Sequence, residues 1–282
     1  MFKFKKILKT LALLSPIVAL SACGQTPSQA EQLLASIDKT DSKYVKIDES
    51  TNSFVLDLTG SGLTKIDKSA FFSLKSRIYQ KTTLQNQNQT NQPDQPGTEN
   101  TQKPQETKVN FYFLSKIIFP ETLTEIEDYA FYADSANLTD QEKIKELDFS
   151  KATNLKKIGN FAFQGNNITK LVLPSSLVSI GRQAFAKNNL EQVDFSNSKD
   201  LEIIQTGAFF DNKIQHVDFS QNVKLIEIFS SAFESNKIET VKFNKSAKPV
   251  TIGTSAFKEN VIKTNENFEN IPELSSLNSP FN

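Results

Sequence analysis

Apolar positions in this chain recur on two scales at once. From Leu155 to Asn260 the frame L-x-x-I-x-x-x-A-F-x-x-N is written five times, as LKKIGNFAFQGN, LVSIGRQAFAKN, LEIIQTGAFFDN, LIEIFSSAFESN and PVTIGTSAFKEN. Only Pro249 breaks its first position. The frame's phenylalanines, Phe163, Phe185, Phe209, Phe233 and Phe257, stand 22, 24, 24 and 24 residues apart. Two further copies lie upstream: LTEIEDYAFYAD carries Phe131 and LTKIDKSAFFSL carries Phe71. Beyond each phenylalanine comes a shorter run, ITKLVL, LEQVDF, IQHVDF or IETVKF, and IKELDF and LSKIIF repeat it upstream. Its last two core positions alternate with an outward one, the mark of a strand with one face buried.

A unit of this size cannot bury its apolar face alone, so repetition at a fixed spacing predicts a stacked solenoid. The expected fold is mainly β: a parallel sheet on one face, with short turns or helical turns on the other. At roughly 4.8 Å per strand, seven coils make a body about 30 Å long. Phe fills the interior, and the Ala before it marks a place where a larger side chain would clash between coils.

The complete unit, L-x-x-L-x-L-P followed by S-L-x-x-I-G-x-x-A-F, resembles the BspA-like (Treponema-type) leucine-rich repeat. It is clearest in ITKLVLPSSLVSIGRQAFAKNN, residues 168–189, and runs from about 53 to 262 with one large interruption. The resemblance implies a right-handed leucine-rich repeat coil and a surface protein that binds protein or glycan in adhesion or host interaction. One position departs from the family: where Cys usually follows A-F-x-x, this chain has Asn. Asn166, Asn188, Asn212, Asn236 and Asn260 are therefore expected to form a ladder whose amides satisfy backbone groups at the turn into each strand.

The regions outside the repeats read differently. Residues 1–22 carry Lys3, Lys5, Lys6 and Lys9 ahead of an apolar stretch too short and interrupted to span a membrane convincingly, which is a signal-peptide pattern. It ends in Leu20-Ser21-Ala22-Cys23, similar to the lipobox of bacterial lipoproteins, in which the Cys is acylated. Cys23 is the only cysteine, so disulfides are excluded and stability must come from coil stacking. Removing residues 1–22 takes four lysines and no acid from a chain with 32 basic and 32 acidic residues. The remaining body is mildly acidic, at about −4, which gives no footprint for nucleic acid. Residues 23–43 form a polar tether in which Ser28 to Glu31 has capping-box spacing. A short helix from there to about Ile37 could cap the first coil or lie in solvent. Tyr44 to Asp48 and Ser53 to Leu58 read as strands. About 38 residues interrupt the first two units, and their centre, 84–108, is rich in Gln, Asn, Thr and Pro and reads as disordered. Another eight or so lengthen the turn after Phe131. Residues 263–282 lack an A-F unit and should close the far end or trail from it. Residue usage, rich in Lys, Asn, Ile and Phe without Trp, suggests a low-G+C bacterium, the wall-less ones among them.

Chemistry is sparse. With one histidine, His216, and the one Cys assigned to lipid, nucleophilic triads and histidine-based metal sites have almost nothing to draw on. No cofactor, metal site or catalytic residue is expected. The place for function is the solvent face of the strands. Ile118, Asp148, Val172, Asp194, Asp218 and Lys242 should point outward in one row, with Lys116, Glu146, Lys170, Gln192, His216 and Thr240 at the rim. Asp194 and Asp218 should sit about 5 Å apart on adjacent strands, facing a basic partner, a cation or solvent alone. The expected role is a membrane-anchored extracellular lipoprotein binding an extracellular protein or glycan. A transporter's solute-binding lipoprotein and a carboxylate-dependent hydrolase are the alternatives.

Overall fold

The computed structural model describes residues 28–29, 32–33, 43–71, 78–84, 107–133, 138–244, 249–262 and 268–269. The leader, Cys23, most of the tether, insert residues 85–106 and all of 263–282 except Phe268 and Glu269 lie outside them. Seven coils follow one another, each made of a strand, a two-residue strand and an A-F turn.

The first of these strands belong to one face: β1 (Val45–Asp48), β2 (Ser53–Asp57), β4 (Ile78–Leu84), β5 (Thr107–Ile118), β7 (Glu146–Asp148) and β9 (Lys170–Val172). The same face continues through β11 (Gln192–Asp194), β13 (His216–Phe219), β15 (Thr240–Phe243) and β17 (Phe268–Glu269). The second set is β3 (Lys65–Ile66), β6 (Glu125–Ile126), β8 (Lys157–Ile158), β10 (Ser179–Ile180), β12 (Ile203–Ile204), β14 (Glu227–Ile228) and β16 (Thr251–Ile252). These seven short strands form one unbroken parallel sheet, one strand per coil. Where turns or helical turns were expected, the chain thus builds a second sheet before its A-F turn.

The long-strand face differs from the single sheet that the pattern predicts. Its hydrogen-bonded groups are β1-β2-β5-β4 with β7 on β5, then β9 with β11, then β13-β15-β17. Ladders are therefore interrupted between β7 and β9 and between β11 and β13, so Asp194 and Asp218 do not stand on paired strands. The reason lies in where the coils are joined. From Phe71 to Phe233 the N–H of each repeat phenylalanine donates to the Ala carbonyl of the next coil, as in Phe163 to Ala184, Phe185 to Ala208 and Phe209 to Ala232, at 2.7–2.8 Å. The residue two before it does the same, for example Tyr129 to Asn160 and Phe161 to Arg182 at 2.8 Å. With the A-F turns and short strands tied throughout, coil spacing is set there, and the long strands need not keep a full ladder.

The interior follows the sequence closely. Phe163, Phe185, Phe209, Phe233 and Phe257 are each at most 1% exposed. From Phe71 to Phe257 successive rings stack with centroids 4.7–5.5 Å apart and planes within 14° of parallel. Strand-end phenylalanines meet this file edge-on, Phe119 on Phe131 at 83° and Phe195 on Phe209 at 75°. Stacked and edge-to-face pairs both suit the ring quadrupole.

The Asn ladder is complete. Asn188 donates through Nδ2 to the Phe163 and Phe185 carbonyls at 2.9 and 3.1 Å, and its Oδ1 accepts the Ile168 N–H at 3.2 Å. Asn166, Asn212, Asn236 and Asn260 repeat this on their own coils, reaching the carbonyls of Phe131, Phe185, Phe209 and Phe233 respectively. One side chain so closes two carbonyls of neighbouring coils and the N–H that starts a strand.

At the amino end, residues 29, 32 and 33 are helical, Leu33 is buried in the core, and Gln29 Oε1 accepts the Thr64 N–H at 3.2 Å. Gln29 and Leu33 thus lie against the first coil, and β1 adds to β2 as an antiparallel pair. The interrupting segment also differs from its expectation at both ends. Leu84 closes β4, Thr107 and Lys108 open the twelve-residue β5, and the two strands pair antiparallel from Ile78 opposite Phe113 to Leu84 opposite Thr107. The second insertion holds a 3-10 turn, Asp140–Glu142, where the Glu142 carboxylate accepts the N–H and hydroxyl of Thr139. At the far end β17 adds to β15, Val241 opposite Phe268.

Candidate binding face

Registers on the long-strand face bring the sequence-selected residues together in pairs. Lys116 stands opposite Glu146 and Ile118 opposite Asp148; Lys170 opposite Gln192 and Val172 opposite Asp194; His216 opposite Thr240 and Asp218 opposite Lys242. The Lys116 ammonium pairs with Glu146, and His216 Nδ1 lies 2.9 Å from Thr240 Oγ1. Glu146, Lys170, Val172, Gln192, Asp194, His216, Asp218 and Lys242 are exposed; Lys116, Ile118, Asp148 and Thr240 are half-buried.

The aspartates of this row also have a local task. Asp148, Asp194 and Asp218 each accept, through Oδ1, the backbone N–H of the serine two residues on, at 3.0, 2.8 and 2.8 Å. Asp57 does the same for Thr59 in the first coil and also pairs with Lys46 at 2.5 Å. Where the row holds Ile118 or Val172 instead, the residue two on is Pro120 or Pro174, which has no N–H to offer. The alternation between D-F-S and V-L-P is thus one turn solved two ways, and Asp57 belongs to the row although the repeat strands alone did not mark it. Burial pushes the Asp148 carboxyl up, but hydrogen bonds from Ser150 outweigh it and hold the group below its ordinary 3.8. Asp57 is lowered too, with burial opposed by Lys46 and Thr59.

At the interruption between β7 and β9 the face opens into a groove of about 590 Å³. Asp148, Ser150 and Thr153 line one side, and Val172, Pro174 and Asn197 the other. Val172 is 53% exposed, among the most exposed of the large apolar residues. Among the described residues no group of three or more His, Cys, Asp or Glu could hold a metal ion, and no helix is long and apolar enough to cross a membrane.

The profile of the BspA-type leucine-rich repeat region matches six copies, over residues 110–156 and 139–265, more than half of the chain. The chain belongs to the BspA-type leucine-rich repeat family. The BspA-type match begins at the second coil; the first lies outside it, yet Phe71 stacks on Phe131 at 4.7 Å. Among solved structures the pneumococcal vaccine antigen PcpA is similar at 18% identity with a TM-score of 0.43, over 73% of this chain and 50% of that one. The BspA-type chain described here thus spans about half the length of that antigen. A leucine-rich cell surface protein of Faecalibacterium prausnitzii A2-165 is similar at 15% identity and a TM-score of 0.32, over 84% of this chain and 75% of that one. No curated protein matches the chain.

Proposed function

We propose that this BspA-type chain is a lipid-anchored extracellular binding protein, held to the membrane through Cys23 and using its long-strand face to bind an extracellular protein or glycan. Repeat arrays offer extended surfaces suited to macromolecules, and the family supports a repeat domain for binding. The observation that carries the reading is the groove beside β9, where an exposed Val172 sits between turn-forming polar groups in a face whose other exposed positions are polar or charged. An apolar anchor ringed by polar groups is the usual layout of a recognition site.

Binding is tested by presenting the full-length chain to immobilised extracellular-matrix proteins and to a glycan array, with Val172→Glu beside it. The expected result is saturable binding to a component of one panel, weakened by about tenfold or more in the variant. Binding that Val172→Glu leaves intact would move the site off this face. Anchoring is tested separately: Cys23→Ser should abolish incorporation of labelled fatty acid and release the protein from membranes, because stable attachment needs at least two acyl chains or their equivalent. A variant that stays membrane-bound would refute the lipid anchor.

A further inference from the structure

A second surface lies away from the strand face, on the outer edge of the A-F turns. Two residues before each repeat phenylalanine the backbone turns left-handed in all seven coils, with φ between 50° and 63°. The reason is the inter-coil ladder, since this conformation aims the N–H at the next coil: Ser69 to Asp128, Tyr129 to Asn160, Phe161 to Arg182. Left-handed backbone disfavours bulky side chains. Four coils comply with Ser69, Gly207, Ser231 and Ser255, one places Gln183 there, and two consecutive ones place Tyr129 and Phe161.

Those two rings do not enter the core. They are half-buried and stack on one another at 4.7 Å and 15°, outside the Phe131–Phe163 file. Tyr132 meets Tyr129 edge-on at 5.7 Å, and the Arg182 guanidinium stands 5.9 Å from the Phe161 centroid. The backbone beneath is held by side chains: Asp128 accepts the Asn160 N–H at 2.7 Å, and Asn160 Oδ1 accepts the Arg182 N–H at 2.8 Å. Gln183, next in the row after Phe161, accepts a hydrogen bond from Gln164 Nε2 at 3.2 Å.

We propose that this row, Tyr129, Phe161 and Gln183 with Tyr132 and Arg182, is a binding site for a pyranose saccharide. Strain kept at a surface position that three other coils fill with serine points to a use for the rings. Aromatic surface matches the C–H face of a pyranose, while planar amides and a guanidinium match its hydroxyls. The site is independent of the strand-face reading and shares no residue with it.

The chain has five tyrosines and no tryptophan, so its intrinsic fluorescence reports tyrosines alone. The full-length chain is titrated with soluble hexasaccharides of β-linked glucose and of N-acetylglucosamine, followed by tyrosine fluorescence and calorimetry. Saturable binding is expected, weakened by about tenfold or more in Phe161→Ser and in Arg182→Gln. Serine is native at this position elsewhere, and Arg182 is exposed, so the second variant reads the site even where the first disturbs folding. Absence of saturable binding to either sugar overturns the proposal, as does binding that both variants leave unchanged. Self-association in sedimentation that Phe161→Ser abolishes would also overturn it, assigning the rings to contact between copies.

Discussion

Asn188 accepts the buried Ile168 N–H and shares the Phe163 and Phe185 carbonyls with Asn166 and Asn212, so its removal strips that N–H of its acceptor while each carbonyl keeps one amide donor. Asn188→Ala should therefore destabilise the chain by about 1–3 kcal/mol, read from chemical denaturation; a loss under about 0.5 kcal/mol would mean that water replaces the amide without penalty. The left-handed positions give the opposite sign. Ser231 has φ 56° where the coil before it uses Gly207, so Ser231→Gly relieves strain at a smaller entropic loss. A gain of about 0.5–1 kcal/mol is expected, and a drop in stability would show that the serine side chain matters there. Glu127 supplies a pH test. The Lys65 hydrogen bond and the Lys68 N–H hold its carboxyl below the ordinary 4.5 against the pull of burial. A depressed folded value gives stability that is present above about pH 4.5 and is lost as pH falls through the folded value. Thermal melts of Glu127→Gln should show a shallower decline across that acid range than the parent, and parallel declines would contradict the linkage.

At the scale of elements, close approach between coils sets the strictest demands. A Cβ on Gly181 would lie 2.5 Å from the Gly159 carbonyl carbon and 2.7 Å from the Asn160 nitrogen. Both are backbone atoms, so Gly181→Ala should force the short strands β8 and β10 apart and lower stability by about 1–3 kcal/mol; an unchanged melting midpoint would mean that the coils can part freely. Much of this architecture is legible in the residues because Phe, Ala and Asn recur at fixed places and each has one physical use: filling, clearance and backbone closure. The seven-stranded second sheet is not, since two residues are too few to show a period. Nor is the left-handed backbone, because Ser, Gln, Tyr and Phe stand where glycine would have announced it. The β4–β5 pair was there to be read in the β-branched and aromatic residues flanking the polar stretch, from Ile78 to Thr83 and from Val109 to Phe113. Likewise D-F-S against V-L-P carries the turn role of the aspartates, which a reading of outward charge alone misses. The outward row on the long-strand face was legible from alternation, but the groove was not, because the interruptions between β7 and β9 and between β11 and β13 follow from how the A-F turns tie the coils.

On the scale of the molecule, the coils share one interior, and each contacts mainly its neighbours. Stability in such an array is close to a sum of coil and interface terms. Phe209 lies between Phe185 at 5.5 Å and Phe233 at 5.0 Å, and meets Phe195 from the side. Its truncation therefore removes two interfaces as well as one coil's filling, and Phe209→Ala should cost about 3–5 kcal/mol. Native-state hydrogen exchange on that variant tests the continuous file most directly. The amides of Phe185 and Phe233, in the coils on either side, should lose protection together with that of Phe209 itself, while Phe131 and Phe163 keep theirs. Loss confined to the Phe209 coil, or spread evenly over every coil, would contradict an interior built from stacked, neighbour-coupled turns.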